Sequence, residues 1–548
     1  MQHGVPNENL PDESVQTECF HAVPEVHYPE ELNAAYEMVD RNVEAERGSE
    51  PAIYFEEETI TYEELRRRVD SMANALEGLG VGPGDRVFVR FPNRPEYVVS
   101  CLASQKIGAI TVPSMKLLRA QEISYIVDDS AATVAVVYDD LLDELEKAID
   151  QHGLDSLEEI VVVEDTGVDH DYHSYDELKA EVSSEYPKPQ TSRDDLIMLA
   201  YTSGTTGKPK GTVHTHRQML AIADTYARYC LEPDPSDVFT TNAPIAFTFG
   251  YGMLVAFPFR FGAATHIVQA PEPEDLLDVI DDGNVTVLAS IPTAFNQMLN
   301  EHQEMLENCD FSALRRIVSA GEPLPPSTFE GIKEHMGVEA MDGIGSTEML
   351  HIFISHRHDD DIDPTATGYP VPGYECKVVD PETFEVVDRG EPGLLLVRGP
   401  TGVTYWDRPQ KQRDNTHDGW SIPGDIFVHR EDGRLEHKSR RDDLIITGGN
   451  NVPAPEVEDV LLEREEVFQT AVVGAPDEER GQIVRAFVVP EDGADPGDQL
   501  TETLQNYVKE RIAPYKYPRE IEFVDDLPTT ETGKIQRAKL REREQKTA

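Results

Sequence analysis

Basic residues are scarce in this chain. Lys and Arg together number 48 in 548 residues, against 104 Asp and Glu, which gives a formal net charge of −56 at pH 7. Proteins that bind nucleic acid through its phosphates need the opposite sign of charge, so we expect no nucleic-acid partner. The acidic residues are scattered and form no block, which argues against an acidic partner-binding tail. The charge therefore predicts a surface adapted to high salt, where ions screen its self-repulsion.

Long apolar runs, paired cysteines and basic residues near the N-terminus are also missing. Even the apolar stretch from Met253 to Val268 contains Arg260, so the sequence predicts no membrane-spanning helix. The five cysteines lie far apart without a Cys-x-x-Cys pair, which favours reduced thiols. Residues 1–17 contain three acidic and no basic side chains, so no secretory signal is visible. These absences predict a cytoplasmic protein without a membrane partner.

What the sequence does contain is a β/α rhythm. Residues 1–30 are interrupted by prolines and predict an extended or partly disordered segment. From Ala52 onward, short apolar strands alternate with helical patterns such as the one that begins at the capping box Thr61 to Glu64. Such alternation predicts an α/β fold in which parallel sheets are covered by helices. We expect a large domain with two αβ-layered subdomains.

The pattern changes towards the C-terminus. After about Asp361, short strands separated by Gly, Pro and Asp turns predict an antiparallel β subdomain. Beyond the charged run that starts at Lys438, helical and strand patterns predict a compact α+β tail. We place the main domain boundary near Arg441 and Asp442. The predicted domains are a large one at 31–441 and a small, mobile one at 442–548.

The most informative stretch runs from Tyr201 to Gly211, with the sequence Tyr-Thr-Ser-Gly-Thr-Thr-Gly-Lys-Pro-Lys-Gly. We interpret it as a loop between a buried strand at 193–200 and an amphipathic helix at 215–229. Glycines, hydroxyls and lysines in one loop offer backbone N–H groups and positive charge to a triphosphate. A Walker-type loop is excluded because Pro209 stands where Ser or Thr would bind Mg²⁺. The alternative is a flexible connector.

Three further polar positions are candidates for nucleotide chemistry. Glu348 ends the turn Asp-Gly-Ile-Gly-Ser-Thr-Glu and could hold Mg²⁺ beside a triphosphate, although such turns are also ordinary surface features. Asp425 could accept hydrogen bonds from ribose hydroxyls, or it could form an Asx turn after Gly424. Arg440 could reach the same sugar or the phosphates, or it could be a solvated member of a charge run. Lys534 lies at the tip of a loop, where most lysines are solvated.

Together these stretches resemble the motifs of the adenylate-forming superfamily, in the right order, over about residues 50 to 540. The resemblance implies that a carboxylate attacks the α-phosphate of ATP, that pyrophosphate leaves, and that coenzyme A then displaces AMP. It implies Mg²⁺ near Thr205 and Glu348, an adenylation lysine at Lys534 and a hinge at Asp442, although Ser439 stands before Arg440 where many relatives have glycine. The implied ATP and CoA contacts are Thr202, Ser203, Gly204, Thr206, Gly207, Lys208, Lys210, Gly321, Glu322, Pro323, Asp342, Gly343, Ile344, Gly345, Ser346, Thr347, Asp425, Arg440, Gly448 and Gly449.

The substrate class is predicted from fewer residues. Thr212 to His216, Ala246 to Gly250 and Gly345 to Ser355 resemble the benzoate- and 2-aminobenzoate-CoA ligase branch. Flat apolar walls with one imidazole suit an aromatic acid. The implied pocket residues are Phe247, Thr248, Phe249, His351 and Ile352.

Three alternatives to an aromatic acid-CoA ligase stay open. They are a medium-chain or branched fatty acyl-CoA synthetase, an enzyme that loads a carrier-protein pantetheine, and a non-catalytic nucleotide-binding scaffold. The ring substituents of an aromatic substrate and the oligomeric state, a homodimer included, are also left open by the sequence.

Overall fold

The structure is a computed structural model that describes residues 9–19, 23–163, 171–202, 209–269, 271–447, 450–477, 480–491, 493–529 and 535–547. These residues form two compact units. The first comprises Met1–Ser203, Pro209–Cys376 and Val397–Ser421, and the second includes Lys377–Leu396 and Ile422–Ala548. Each unit is described below by itself.

The strands are numbered in chain order. They are β1 (Pro51–Phe55), β2 (Glu58–Thr61), β3 (Arg86–Arg90), β4 (Ile110–Ser114), β5 (Val134–Tyr138), β6 (Glu159–Val163), β7 (His173–Ser174), β8 (Leu196–Thr202), β9 (Lys210–Thr215), β10 (Val238–Thr241), β11 (Ala264–Ile267), β12 (Val287–Ser290), β13 (Arg316–Ala320), β14 (Ala340–Gly345), β15 (Ile352–Ser355), β16 (Tyr369–Pro370), β17 (Glu375–Val379), β18 (Pro392–Arg398), β19 (Thr416–His417), β20 (Trp420–Ser421), β21 (Asp425–His429), β22 (Leu435–Arg440), β23 (Leu444–Thr447), β24 (Asn450–Pro453), β25 (Val467–Asp477), β26 (Gly481–Pro490) and β27 (Glu520–Phe523).

The α-helices are numbered in the same way. They are α1 (Ala34–Met38), α2 (Asp40–Asn42), α3 (Tyr62–Gly78), α4 (Pro95–Lys106), α5 (Ala120–Ser130), α6 (Leu142–His152), α7 (Tyr175–Ala180), α8 (His216–Ile222), α9 (Thr248–Tyr251), α10 (Phe257–Phe261), α11 (Pro273–Asp281), α12 (Pro292–Glu301), α13 (Gln303–Asn308), α14 (Pro326–Met336), α15 (Pro409–Asp414), α16 (Ala454–Leu462), α17 (Asp498–Arg511) and α18 (Arg537–Thr547). Within the described ranges, no helix combines the length and apolar character that crossing a bilayer would need.

Two large sheets organise the first unit. One has the strand order β7-β6-β5-β3-β4-β8-β9, and the other has the order β16-β15-β14-β13-β12-β10-β11-β1-β2. From β7 to β8 and from β14 to β1 the neighbouring strands are parallel, with antiparallel pairs at the edges. Strands such as β5 are buried along their whole length because helices cover the sheets. The α/β class with two αβ-layered subdomains is confirmed.

The interpretation of 201–211 as a connection from strand to helix is wrong. β8 is followed by β9, an antiparallel partner, and Thr202 pairs with Lys210 across the hairpin. The helix begins at His216, where Thr215 and Gln218 form a reciprocal capping box. β9 continues the sheet because its backbone also meets a further segment: Trp406 N donates to Gly211 O at 2.9 Å, and Val213 N donates to Thr404 O at 3.0 Å. The predicted helix at 215–229 is present as α8 and the π-helix Ala223–Leu231, so only the strand at 210–215, which depends on long-range pairing, was missed.

The second unit combines short antiparallel strands with an α+β tail. β21 pairs antiparallel with the first residues of β18 and with all of β22. The tail has the strand order β24-β23-β26-β25, and β27 lies parallel to β26. Helices α16 and α17 pack on this sheet through buried aliphatic side chains. The predicted β subdomain and α+β tail are both confirmed.

Candidate active site

Two polar segments of the first unit lie at the carboxyl ends of neighbouring parallel strands. β13 and β14 pair with Ser319 opposite Asp342 and Ala320 opposite Gly343. The segment 321–323 therefore begins where β13 ends, next to the last residues of β14. Ligands of α/β sheets bind outside the carboxyl ends of the strands. The two predicted adenine-binding segments thus share one sheet edge.

The residues of this edge differ in how they are held. Gly321 has a φ of +91°, a conformation that favours glycine. Glu322 Oε2 accepts a hydrogen bond of 2.8 Å from Thr293 Oγ1, whereas Pro323 and Gly345 are exposed. A Cβ on Gly343 would come within 2.7 Å of Ile352 Cδ1, so β14 packs closely on β15.

The carboxyl group of Asp342 has a raised pKa. Burial raises its pKa to about 7, although a backbone hydrogen bond from Gly343 opposes the shift. Within the described part of the chain its Oδ1 is shielded from water and has no hydrogen-bond partner. The Ser355 hydroxyl donates to the backbone oxygen of Asp342 at 2.8 Å and fixes the strand there. The carboxyl can therefore be neutral near physiological pH.

A tight turn presents Glu348 at the same edge. Met349 N donates to Ser346 O at 3.2 Å and Leu350 N donates to Thr347 O at 3.1 Å, while Ile344 lies half-buried just before the turn. Glu348 is half-buried, and its Oε1 accepts a hydrogen bond of 3.0 Å from the Tyr405 hydroxyl.

The donor set at Glu348 fits a magnesium ion that also binds phosphate. In the described ranges no cluster of three or more His, Cys, Asp or Glu side chains could hold a metal by itself. Mg²⁺ in nucleotide sites takes one or two carboxylates together with substrate phosphate oxygens. One positioned, accessible carboxylate is therefore suited to a metal that arrives with its nucleotide.

The hairpin β8–β9 contacts this turn through His214. The imidazole is fully buried next to the Thr347 backbone, and burial lowers its pKa to about 3. Its Nε2 lies 3.3 Å from Thr212 Oγ1. The neutral ring therefore joins β9 to the turn that carries Glu348.

Aromatic rings surround His351. The rings of His351 and Phe249 are stacked, with centroids 5.4 Å apart and an interplanar angle of 30°. Phe257 meets the same imidazole edge-on at 4.5 Å, and Tyr226 lies at 5.5 Å. His351 is 3% exposed, and burial lowers its pKa to about 3, so the imidazole is neutral at pH 7.

The other predicted pocket residues come directly before Phe249 or directly after His351 in the chain. Phe247 precedes α9, and Thr248 is the first residue of that helix and 7% exposed. Ile352 is buried at the start of β15. The structure therefore brings Phe249 and His351 into contact, and the other predicted pocket residues are their neighbours in the chain.

Two residues of this region were not predicted. A Cβ on Gly252 would lie 2.3 Å from His351 Cδ2, so the imidazole occupies the space that a side chain at 252 would need. In the sequence, Gly252 follows Gly250 by two residues in an apolar helical stretch. A second glycine at such a position indicates that another group approaches the backbone closely. Tyr405, which holds Glu348, had the weaker signal of an aromatic residue between Gly402 and Pro409.

The second unit contains the predicted ribose contacts. Asp425 begins β21 and pairs across the sheet with Arg440, whose Nη1 lies 3.2 Å from Asp425 Oδ1. His437 Nε2 lies 3.6 Å from the same oxygen. Asp425 is buried, whereas Arg440 is exposed, so the pair offers one accessible cation beside a fixed carboxylate.

Several predicted residues lie outside the described part of the chain. The backbone of Asp442 belongs to the 3₁₀ turn Arg441–Asp443, but its side chain is not described. The other residues outside the described ranges are Ser203, Gly204, Thr205, Thr206, Gly207, Lys208, Gly448, Gly449 and Lys534.

Comparison with known proteins identifies the architecture. Residues 39–406 match the family model for the AMP-binding enzyme, and residues 456–534 match the model for the AMP-binding enzyme C-terminal domain. The chain is 36% identical to a benzoate–CoA ligase of Thauera aromatica, over 94% of this chain and 97% of that protein. It is also 32% identical to an acetyl-coenzyme A synthetase of Bacillus subtilis, over 93% of this chain and 90% of that protein.

A solved structure agrees with these matches. The crystal structure of an anthranilate CoA ligase in complex with anthranoyl-AMP has a TM-score of 0.89 and 34% identity, and it covers 96% of this chain and 99% of that one. The family models, the sequence relatives and the solved structure all extend over both units. The chain therefore belongs to the AMP-binding enzyme family.

Proposed function

We propose that the protein is an ATP-dependent, AMP-forming ligase that joins an aromatic carboxylic acid of the benzoate, 2-aminobenzoate or hydroxybenzoate type to coenzyme A. The observation that carries the proposal is the stacked pocket around His351, three residues from the carboxylate of Glu348 on the nucleotide side. Relatives named as benzoate–CoA and anthranilate CoA ligases support the aromatic class.

The proposed reaction proceeds in two steps. A carboxylate oxygen of the acid attacks the α-phosphorus of ATP, and the bond to pyrophosphate breaks. The sulfur of CoA then attacks the acyl carbon, AMP leaves with the carboxyl oxygen, and the thiol proton is released. Negative charge develops in the transition state of each step. Fixed positive groups and a metal ion therefore lower the barrier.

Each predicted residue has a role in this scheme. Thr202, Lys210 and the loop between them would bind the β- and γ-phosphates, and Glu348 with Thr205 would hold Mg²⁺, which supplies charge neutralisation when it is bound. Segments 321–323 and 342–345 would contact adenine, Asp425 and Arg440 would contact ribose, and Gly448 and Gly449 would border the path of the thiol.

The small domain has its own proposed functions. Lys534 would stabilise the transition state of adenylation, and Asp442 would be the hinge between domains 31–441 and 442–548. We expect Lys534→Ala to lose about 10²- to 10³-fold in adenylation while it still makes thioester from a supplied acyl-adenylate. Equal losses in the two half-reactions would contradict this role.

A substrate panel tests the proposal directly. Purified protein is incubated with ATP, Mg²⁺, CoA and one acid from benzoate, 2-aminobenzoate, 4-hydroxybenzoate, cinnamate, octanoate or acetate, and AMP and thioester are quantified. We expect equal amounts of AMP and aryl-CoA with at least one benzoate. Preference for octanoate or acetate would instead favour an aliphatic acyl-CoA synthetase, for which the acetyl-CoA synthetase relative is the supporting observation. Release of ADP, or binding of ATP without pyrophosphate, would refute the reaction.

The panel is best run at several salt concentrations. With a formal charge of −56, we expect activity and stability to rise towards molar KCl, because counter-ions screen repulsion between the scattered acids. A maximum at low ionic strength would refute the adaptation to high salt. We also propose a cytoplasmic location and a homodimer as the assembly to test first, by light scattering at high salt.

A further inference from the structure

We propose that Tyr405 is a positioning residue that fixes the Glu348 carboxylate for its metal ion. The inference rests on the proposed function, because it assumes that Glu348 holds Mg²⁺ beside ATP. Tyr405 is 1% exposed, and its hydroxyl donates to Glu348 Oε1 at 3.0 Å. The buried phenol therefore reaches the edge where a half-buried carboxylate meets solvent.

The tyrosine is itself held from several sides. Its backbone N donates to Gln412 Oε1 at 2.9 Å, and Gln412 Nε2 donates to Val403 O at 2.9 Å. Tyr405 also forms a backbone bridge with Thr212 of β9. The side chain thus projects from a segment fixed to the hairpin that carries Thr202 and Lys210.

The residue after Tyr405 anchors the segment to β9 and to α5. Trp406 N donates to Gly211 O at 2.9 Å, and its indole Nε1 donates to Asp129 O at 3.0 Å. A side chain that is locked by packing and backbone bonds can hold a partner within the narrow tolerances that a metal site needs. The segment 403–406 therefore has the rigidity that a positioning role requires.

The chemistry of the donor favours a metal ligand as the partner. A glutamate has several rotamers, and one hydrogen bond from a fixed hydroxyl selects among them. Tyrosine is neutral, so it orients the carboxylate without neutralising it, whereas a lysine or arginine at 405 would repel the incoming cation. A carboxylate has about four lone-pair sites, so one that accepts a single hydrogen bond can still bind a cation.

Tyr405→Phe tests the inference because it removes the hydroxyl and keeps the ring. Pyrophosphate release is measured at fixed ATP and acid while Mg²⁺ is varied, and ATP binding over the same Mg²⁺ range is followed by calorimetry, where the half-saturating Mg²⁺ concentration should rise by the same factor. We expect the Mg²⁺ concentration for half-maximal rate to rise about three- to tenfold, with the KM of the acid unchanged. A purely structural tyrosine would lower thermal stability and leave the Mg²⁺ dependence as it is, and that result would overturn the proposal.

A matched control separates the general effect of removing a buried hydroxyl from the loss of positioning of the Glu348 carboxylate. Tyr62 is fully buried, and its hydroxyl donates to the backbone oxygen of Ala263 at 2.6 Å. Tyr62→Phe should leave the Mg²⁺ dependence of the wild type. An equal shift in Tyr62→Phe and Tyr405→Phe would also overturn the proposal.

Glu348→Gln distinguishes failure of the inference from failure of the proposed function. If Glu348→Gln alone leaves the Mg²⁺ dependence unchanged, the metal role in the proposed function is wrong. If Glu348→Gln shifts it and Tyr405→Phe does not, only the positioning role is wrong. In the double variant, Tyr405→Phe should add no further shift, because the carboxylate that it orients is already gone.

Discussion

Glu348 and His351 lie three residues apart and have opposite surroundings. Glu348 is half-buried at a polar edge, where a tyrosine hydroxyl holds its carboxylate. His351 is 3% exposed among aromatic rings, and burial keeps its imidazole neutral. Under the proposed function, one turn would therefore serve two chemistries, with one side chain on the nucleotide side and the other among the aromatic rings of the acid pocket.

The backbone between them has an uncommon conformation. Leu350 has a φ of +68°, a conformation that is uncommon for a residue with a branched side chain. The residue is 1% exposed, so packing of its side chain holds the strained backbone in place. If the two sides are functionally distinct, substitutions at the polar edge should change Mg²⁺ and ATP dependence, and substitutions in the pocket should change acid dependence.

The largest effect is expected at the polar edge. Glu348→Gln keeps the shape of the side chain and removes its charge, so we expect adenylation to fall about 10²- to 10³-fold. The KM of the aromatic acid should change less than about twofold, since the pocket around His351 is untouched. Pyrophosphate release at saturating acid measures the first quantity and an acid titration measures the second. A large change in the KM of the acid would break the comparison.

The second effect is expected in the pocket. Gly252→Ala places a Cβ 2.3 Å from His351 Cδ2, so the imidazole must move and the pocket narrows. We expect a loss of about 1–3 kcal/mol in the binding of an aromatic acid, with the KM of MgATP unchanged. Gly78→Ala is the control, because a Cβ there meets no atom within 4 Å. Equal kinetics in the two variants would contradict the packing of His351 on Gly252.

The third effect appears as a dependence of stability on pH. The pKa of His351 is about 3 in the folded protein and near 6.5 when unfolded, so between these values the unfolded state binds one more proton. The free energy of unfolding therefore falls as pH drops below about 6.5, by about 1.4 kcal/mol per pH unit for this group. In His351→Leu, the free energy of unfolding should fall less steeply with decreasing pH, by about 1.4 kcal/mol per pH unit. Urea titrations at pH 7.5, 6 and 5 measure this slope. Parallel pH profiles would show that the imidazole is not held neutral.

The smallest effect is expected for Thr248→Ala. Thr248 is 7% exposed at the start of α9, and its hydroxyl gives the pocket wall a polar group. Its removal should change the kcat/KM ratio of hydroxybenzoate or 2-aminobenzoate to benzoate by less than about tenfold, without altering the KM of MgATP. Competition between two acids measures the ratio. A change in MgATP kinetics would place Thr248 on the nucleotide side and weaken the comparison.

Local signals in the sequence gave correct predictions for most elements of the first unit. The capping residue Thr61 accepts a hydrogen bond from Glu64 N at the start of α3, and the alternation of buried strands and helices predicted from Ala52 onward includes β5 and β13. The exception is β9, whose strand conformation depends on pairing with β8 and on contact with 404–406. Such pairing is non-local, and the residues of β9 alone do not encode it.

By itself, the sequence determined the α/β class, the acidic surface and the positions of the glycine-rich turns, because these follow from composition, local periodicity and backbone freedom. Only the tertiary structure decided that a tyrosine some 57 positions further along the chain holds Glu348, and that His351 fills the space left by Gly252. A hydrogen bond or a van der Waals contact depends on distances of a few ångströms between side chains remote in sequence. Those distances are fixed when sheets and helices pack, and not by any one segment.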